Sequence, residues 1–321
     1  MQRNQIGGSK LEVSALALGT MNFGYDWHGI GAIEESVARD LVDAAFERGV
    51  NFIDTADVYG YGAAETMLGK IVRGRRDQFV ISSKVCGRMD PDDDKSGGLS
   101  REHITEGLDA TLTRLGTDYL DLYMPHAPDS AVELEESLEA FDRAIQAGKV
   151  RVLGCSNFDP DHARRSLAWA DENKKSRFEF NQVQISLAAP WALADHNPIC
   201  EERGTSLMAW SPLAGGALTG KYADPKKPRP AGRRRDPKDA FPPVSEARLA
   251  PLLTLLGKVA QLEGLSQAQA AIGWVLGKPY ISSVILGARS LQQLEETLGS
   301  KPLAKRSQVL LDKAVEVLEK A

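Results

Sequence analysis

Four residues in the first half of the chain could together deliver a proton to a carbonyl oxygen. Asp54 and Tyr59 lie in the stretch NFIDTADVYG (51–60), Lys84 in FVISSKV (79–85), and His126 closes LDLYMPH (120–126). A free phenol has a pKa near about 10, too weak an acid to protonate a developing alkoxide readily. A nearby ammonium stabilises the phenolate and lowers that pKa. A carboxylate beside the ammonium holds it charged and in place. An imidazole across the pocket can donate a hydrogen bond to an oxygen on which charge develops. Tyr59, Lys84, Asp54 and His126 fit those roles in that order. Asp54 alone could be a strand-end cap and Lys84 its salt-bridge partner, so the catalytic reading depends on the fold bringing all four together.

The elements that must do so alternate along the chain. Ile6 to Val13 suggests a small hairpin around Gly7-Gly8-Ser9-Lys10. Apolar runs follow at 15–20 (ALALGT), 50–53, 79–85, 120–126, 150–157 (VRVLGCSN), 178–185 (FEFNQVQI), 205–212 (TSLMAWSP) and 282–288 (SSVILGA). Such short apolar runs between turn signals read as buried strands. Between them lie helical patterns, among them Val37, Leu41, Val42 and Ala45 closed by Gly49, and Leu134, Leu138, Phe141 and Ile145 ending at Gly148. Ser100 and Asp159-Pro160 open two more in cap-then-first-turn order. The segment 191–202 is irregular or helical, and helices at 291–298 and 307–320 finish the chain.

Eight strands alternating with helices predict a parallel sheet covered by helices, closed as a (β/α)8 TIM barrel with a short N-terminal β-hairpin and C-terminal helices. All 321 residues form one domain on this reading. The competitor is an open doubly wound sheet. No intact G-x-G-x-x-G follows the first strand, and the closest stretch, Gly60 to Glu65, has Glu65 where the third glycine belongs. In a barrel the C-terminal strand ends and following loops share one face, where chemistry is done. Those ends carry Gly19, Thr20, Asp54, Tyr59, Lys84, His126, Ser156, Asn157, Gln182, Trp210, Ser211, Gly287 and Arg289, a polar set against apolar strand interiors.

At this point the chain resembles an aldo-keto reductase over nearly its whole length. The motifs that carry the resemblance are LGTMNFG (18–24), NFIDTADVYG (51–60), SSK (82–84), DLYMPH (121–126), GCSNF (154–158), NQVQ (181–184), AWSPLAGGALTGKY (209–222) and GARSLQQLEET (287–297). The resemblance implies an oxidoreductase that reduces an aldehyde or ketone, or oxidises the alcohol, by hydride transfer. It implies NADPH bound across the C-terminal face without a Rossmann domain, preferred over NADH. Tyr59 would be the general acid, assisted by Lys84 and Asp54, with His126 orienting the carbonyl. Ser156, Asn157 and Gln182 would grip the carboxamide, and Trp210 would stack on the nicotinamide. Gly19, Thr20 and Met21 would border the ribose, and Ser211 and Leu213 the pyrophosphate path. Arg289, Ser290, Gln293 and Glu296 would hold the adenosine 2′-phosphate end, with Gly215, Gly287 and Thr297 completing the cofactor contacts. The chain departs from the family pattern where Pro125 and Ala127 flank His126, where Thr297 stands in place of a common Asn, and where Trp210 replaces a common Tyr or Phe.

Phe23, Trp27 and Trp191 are expected, with Tyr59 and His126, to wall the substrate pocket. Residues 221–244 carry eight Lys or Arg against three Asp. Following the strand that bears Trp210, they are expected to form a mobile clamp over an anionic dinucleotide rather than a nucleic-acid patch. A net charge of −5 also argues against a nucleic-acid binder. His28, His103, His162 and His196 are scattered without ligand spacing, and no metal is expected. Three widely spaced cysteines point to a reducing compartment. MQRNQIGGSK lacks the apolar core of a signal peptide, and no apolar run approaches the roughly 18 residues of a membrane span, so a cytoplasmic chain without a membrane partner is expected. Two rival readings share this barrel: a reductase-like, nucleotide-holding regulatory subunit with slow or no turnover, and an enzyme acting on phosphorylated sugars. Oligomeric state is left open between monomer and homo-oligomer.

Overall fold

A computed structural model describes residues 1–26, 29, 31–222 and 246–320. β1 (Arg3–Gln5) and β2 (Glu12–Ser14) form the antiparallel hairpin. The chain then alternates β3 (Leu16–Gly19), α1 (Glu35–Glu47), β4 (Phe52–Asp54), α2 (Ala63–Val72), β5 (Val80–Val85) and α3 (Arg101–Leu115). It continues with β6 (Leu120–Pro125), α4 (Leu134–Gln146), β7 (Val150–Ser156), α5 (Pro160–Asn173), β8 (Phe178–Gln184) and α6 (Trp191–Arg203). β9 (Ser206–Trp210), α7 (Glu246–Glu263), α8 (Gln267–Leu276), β10 (Ile281–Leu286), α9 (Leu291–Leu298) and α10 (Lys305–Lys320) complete it.

β3 to β10 are parallel and close into an eight-stranded barrel, β10 returning to pair with both β9 and β3. The strands are shorter than their apolar runs because the terminal residues, such as Ala15 and Thr20, leave the ladder for the loops. The segment 191–202 proves to be regular helix, which accommodates Pro198 in its interior. Short 3-10 turns at Arg76–Gln78 and Ala214–Thr219 are additional to the sequence reading.

Two apolar cores follow from the two-residue period of a strand. Ile53, Ile81, Val85, Tyr123, Leu153 and Leu207 point outward to the helices. Ala17, Phe52, Val80, Leu122, Met124, Val152, Phe180, Met208 and Ile285 form the other cluster, inside the barrel, together with Ile6 and Val13 of the hairpin. The hairpin is fixed to the N-terminal strand ends: Gly7 N donates to Ser206 Oγ (3.1 Å) and Gly8 N to Glu179 Oε2 (2.8 Å). That end is thus closed by apolar side chains.

The same parity carries the inward series to the opposite mouth. Counting by twos, Phe52 leads to Asp54, Val80 to Ser82 and Lys84, Val152 to Gly154 and Ser156, Phe180 to Gln182, and Met208 to Trp210. Each strand changes from apolar to polar on one face as it reaches the C-terminal mouth. Gly154 supplies the room for this change. A Cβ there would lie 2.2 Å from Cζ of the buried Phe180 ring.

Helix ends are set locally. Ser100 accepts from His103 N and Asp159 from His162 N, with Pro160 in the first turn, and Ser266 and Gln269 form a reciprocal capping box. Gly49 turns the chain out of α1 at φ +84, a conformation that a side chain disfavours. Glu65, which breaks the dinucleotide-type glycine pattern, is fully buried on α2. It accepts from Ser83 Oγ on β5 (2.5 Å) and Arg114 Nε on α3 (2.6 Å), pinning both helices behind the strand that bears Lys84.

Candidate active site

Asp54 and Lys84 meet inside the barrel mouth because β4 and β5 are neighbours in register, Asp54 opposite Ser82. Lys84 Nζ donates to Asp54 Oδ2 at 2.8 Å and to the carbonyl of Thr55 at 2.7 Å. The Lys84 side chain is fully buried. The other carboxylate oxygen, Oδ1, accepts from Ser82 Oγ (2.7 Å) and Gln182 Nε2 (2.8 Å). Asp54 therefore binds three donors from two strands, which fixes its position beside the ammonium.

Beyond Asp54 the chain turns sharply. Tyr59 N bonds to Ala56 O, and Ala64 N to Tyr59 O, placing Tyr59 at the head of α2. The Tyr59 ring centroid is 5.1 Å from Lys84 Nζ and 5.7 Å from the His126 ring, at 76°. Burial pulls the Lys84 ammonium down, but the charge of Asp54 and of Tyr59 and their hydrogen bonds outweigh it and hold its pKa above the ordinary value. Burial, and then the Lys84 charge, lower His126 from 6.5 to about 3. Its imidazole is neutral at physiological pH, able to donate one hydrogen bond without giving up a full proton. The four residues proposed from sequence thus converge.

Asp54, Tyr59 and His126 line a cleft of about 720 Å³ that also takes in Arg289. Of the residues expected to contact the cofactor, Gly19, Thr20, Met21, Asp54, Ser156, Asn157, Gln182, Trp210, Ser211, Leu213, Gly215, Gly287, Arg289, Gln293, Glu296 and Thr297 all line it. Ser290 does not. Its hydroxyl instead caps α9, accepting from Gln293 N at 3.4 Å. Thr297 turns its hydroxyl back to the carbonyls of Gln293 and Leu294, so that this position lacks the outward amide an Asn would offer. Met21, Val58, Asn157 and Trp210 line the same cleft as Tyr59.

The expected substrate walls fare differently. Phe23 is fully buried in the outer core and has no surface to offer a substrate. Its neighbours Leu18 and Ile33 explain why: the loop after β3 folds back, Phe23 bridging Ile33. Trp191 opens α6 half-exposed and is not among the residues lining the cleft. Trp27 lies outside the described residues, as do residues 223–244 of the expected clamp. Of that clamp only Lys221 and Tyr222 are described, and Lys221 lines the cleft.

Sequence reasoning missed several cleft residues: Asn22, Val58, Pro212, Gly216, Thr219 and Ala268. Lys221 belongs to the segment expected as a clamp. Ser82, which holds Asp54, was within reach, since it shares a strand face with Lys84 two residues on. Ala268 was not, because only the packing of α8 brings it to the mouth. The cleft fits an extended dinucleotide: amide groups and a flat indole at one end, cations at Lys221 and Arg289 toward the other, and Gly287 with open space where a Cβ would stand. Among the described residues no group of three or more potential metal ligands occurs, and no helix is long and apolar enough to cross a membrane.

A family model described as "Aldo/keto reductase family" matches residues 15–316. The chain is 32% identical over 325 residues to "Uncharacterized oxidoreductase YrpG" of Bacillus subtilis (strain 168), covering 98% of this chain and 94% of that protein. It is 32% identical over 333 residues to "L-glyceraldehyde 3-phosphate reductase" of Escherichia coli (strain K12), covering 97% and 93%. "Probable voltage-gated potassium channel subunit beta" of Arabidopsis thaliana is 31% identical over 333 residues, covering 99% and 97%.

Proposed function

The chain belongs to the aldo/keto reductase family, and on that premise we propose that it reduces an aldehyde or ketone to an alcohol with NADPH, or catalyses the reverse oxidation. The observation that carries this reading is the buried Lys84–Asp54 pair beneath the Tyr59 ring, with neutral His126 facing it. When bound, NADPH supplies the hydride that adds to the carbonyl carbon. Tyr59 Oη gives its proton to the carbonyl oxygen as that oxygen gains charge. Lys84 stabilises the phenolate left behind, and Asp54 keeps Lys84 charged in its buried position. His126 donates a hydrogen bond to the same oxygen and sets its direction, and Tyr59 recovers a proton from solvent. The sum is carbonyl, NADPH and a proton giving alcohol and NADP⁺.

Preference for NADPH over NADH rests on Arg289, which lines the same cleft and whose guanidinium suits the 2′-phosphate through paired donors. Gln182 Nε2 bonds to Asp54 and Ser156 Oγ to the Gln182 carbonyl, and on this reading both receive the carboxamide. The reaction takes place in the cytoplasm on this reading. The substrate is a small organic carbonyl; the phosphorylated aldehyde in one relative's name marks one class to include.

A second reading, a nucleotide-holding regulatory subunit with little turnover, is favoured by the channel-subunit name of the Arabidopsis relative. Turnover separates the two. With a panel of plain and phosphorylated aldehydes, NADPH consumption is expected from the wild-type chain and a slower rate with NADH. Tyr59→Phe should lower kcat by roughly 10²- to 10⁴-fold, the usual worth of a positioned general acid, while tryptophan-fluorescence titration shows NADPH still bound. An unchanged rate in Tyr59→Phe would refute the assignment, and NADPH binding without turnover on any aldehyde would favour the regulatory reading.

A further inference from the structure

β5 turns two side chains, Ser82 and Lys84, to the inner face of the barrel mouth, and each holds one oxygen of the same carboxylate. Lys84 Nζ donates to Asp54 Oδ2 at 2.8 Å and Ser82 Oγ to Oδ1 at 2.7 Å. The register makes this possible, because Asp54 stands opposite Ser82 across the β4–β5 ladder. Two donors on one strand face, each on its own oxygen, fix the plane of the carboxylate as well as its place. Gln182 Nε2 from β8 also reaches Oδ1, at 2.8 Å. Gln182 lines the cleft, so its side chain answers to whatever the cleft holds. Ser82 is fully buried and does not line the cleft, and its bond to Asp54 is independent of the occupant.

A buried hydroxyl is costly unless it is bonded. Ser83 is buried as deeply on the outer face of β5, where its hydroxyl donates to Glu65 on α2. One serine thus grips the helix layer and the other the site. The O–H of Ser82 draws negative charge toward Oδ1 and away from Oδ2. Less of the Lys84 charge is then neutralised, and more of its field falls on the Tyr59 ring, whose centroid is 5.1 Å from Nζ. We propose that Ser82 is a positioning residue for the proton transfer: through Asp54 it sets how strongly Lys84 stabilises the Tyr59 phenolate. This rests on the reading of Tyr59 as the general acid.

One substitution on each face of β5 tests it. Ser82→Ala removes the donor to Asp54. Ser83→Ala removes the bond to Glu65 and gauges what loosening the strand alone does. The first readout needs neither cofactor nor turnover: titration of the Tyr59 phenol by NMR of ring-labelled tyrosine, assigned by its loss in Tyr59→Phe. Lys84 on β5, His126 after β6, Asp54 on β4, and Asp57 with its neighbours Glu65 on α2 and Arg114 on α3 are all retained in both variants. Ser82→Ala is expected to move the Tyr59 titration to higher pH, and further than Ser83→Ala does. The second readout is steady-state reduction of an aldehyde by NADPH. Ser82→Ala should lower kcat by roughly 2- to 10-fold, the worth of one hydrogen bond, and change KM for NADPH by less than about twofold. A titration that moves no further in Ser82→Ala than in Ser83→Ala would overturn the proposal, and so would a loss that falls on KM instead of kcat. If the wild-type chain reduces no aldehyde, the functional reading fails while the Tyr59 titration still decides the part played by Ser82.

Discussion

Asp57 stands three residues past Asp54, 1% exposed, with Oδ1 accepting from Val58 N at 2.6 Å. Its Oδ2 is buried without a hydrogen-bond partner among the described residues. Burial first, and then the negative charge of Glu65 on α2, push its carboxyl from 3.8 up to about 8. The Val58 N–H, Arg114 on α3 and Lys84 on β5 oppose this without overcoming it. Tyr123 on β6 and Cys86 also feel its charge. In the unfolded chain Asp57 loses its proton above about pH 4, whereas the folded chain keeps it until about pH 8. Between those limits folding takes up a proton, so the group's stabilising contribution, complete below about pH 4, is lost as pH rises. The slope is at most about 1.4 kcal/mol per pH unit and the whole window at most about 6 kcal/mol. Against a total stability of about 5–15 kcal/mol this is large. An asparagine is close in shape to the protonated acid and does not titrate, so Asp57→Asn should remove the slope. Urea unfolding followed by circular dichroism, at steps from about pH 5 to about pH 8, gives the measurement. The stability of Asp57→Asn relative to wild type is expected to rise steadily with pH across that range. A difference that stays flat would show that Asp57 is already ionised in the fold, and the reasoning from its buried oxygen would fail.

Two further outcomes follow from the site and its support. Burial, followed by Lys84, lowers His126 from 6.5 to about 3, so the unfolded chain gains a proton below about pH 6.5 that the folded chain refuses, and stability is lost as pH falls toward 3. His126→Gln should flatten that acid-side fall in melting temperature; equal slopes in the two proteins would contradict the neutral imidazole. Gly154→Ala would place a methyl 2.2 Å from the fully packed Phe180 ring, an overpacking expected to cost about 1–3 kcal/mol or more. It should appear as a lower melting temperature, and an unchanged one would mean that the barrel interior yields more easily than its packing indicates.

Much of the architecture was legible because its signals are local. The helix over 291–298 has the limits expected from sequence, and Ser100 and Asp159 cap as their positions predict. The alternation of strands and helices sufficed for the barrel, and the two-residue period of the strands sufficed to bring Asp54, Lys84, Ser156, Gln182 and Trp210 to one mouth. Loops carry no such period. Phe23 was expected at the substrate and is buried in the core, and Trp191 was expected there and is not among the residues lining the cleft. Ser290, expected at the phosphate, is used to start a helix.

The residue types by themselves determined which chemistry was available: a phenol, an ammonium, a carboxylate and an imidazole on strand ends. What only the tertiary structure decided is the state and company of each group. The neutrality of His126 comes from burial and from Lys84, which another strand carries. The engagement of Asn157 comes from Trp210 and His126 on other strands, and the protonation of Asp57 from its burial and from Glu65 on α2. Dielectric surroundings and hydrogen-bond partners are properties of neighbours in space, and a linear chain specifies those neighbours only once it has closed its barrel.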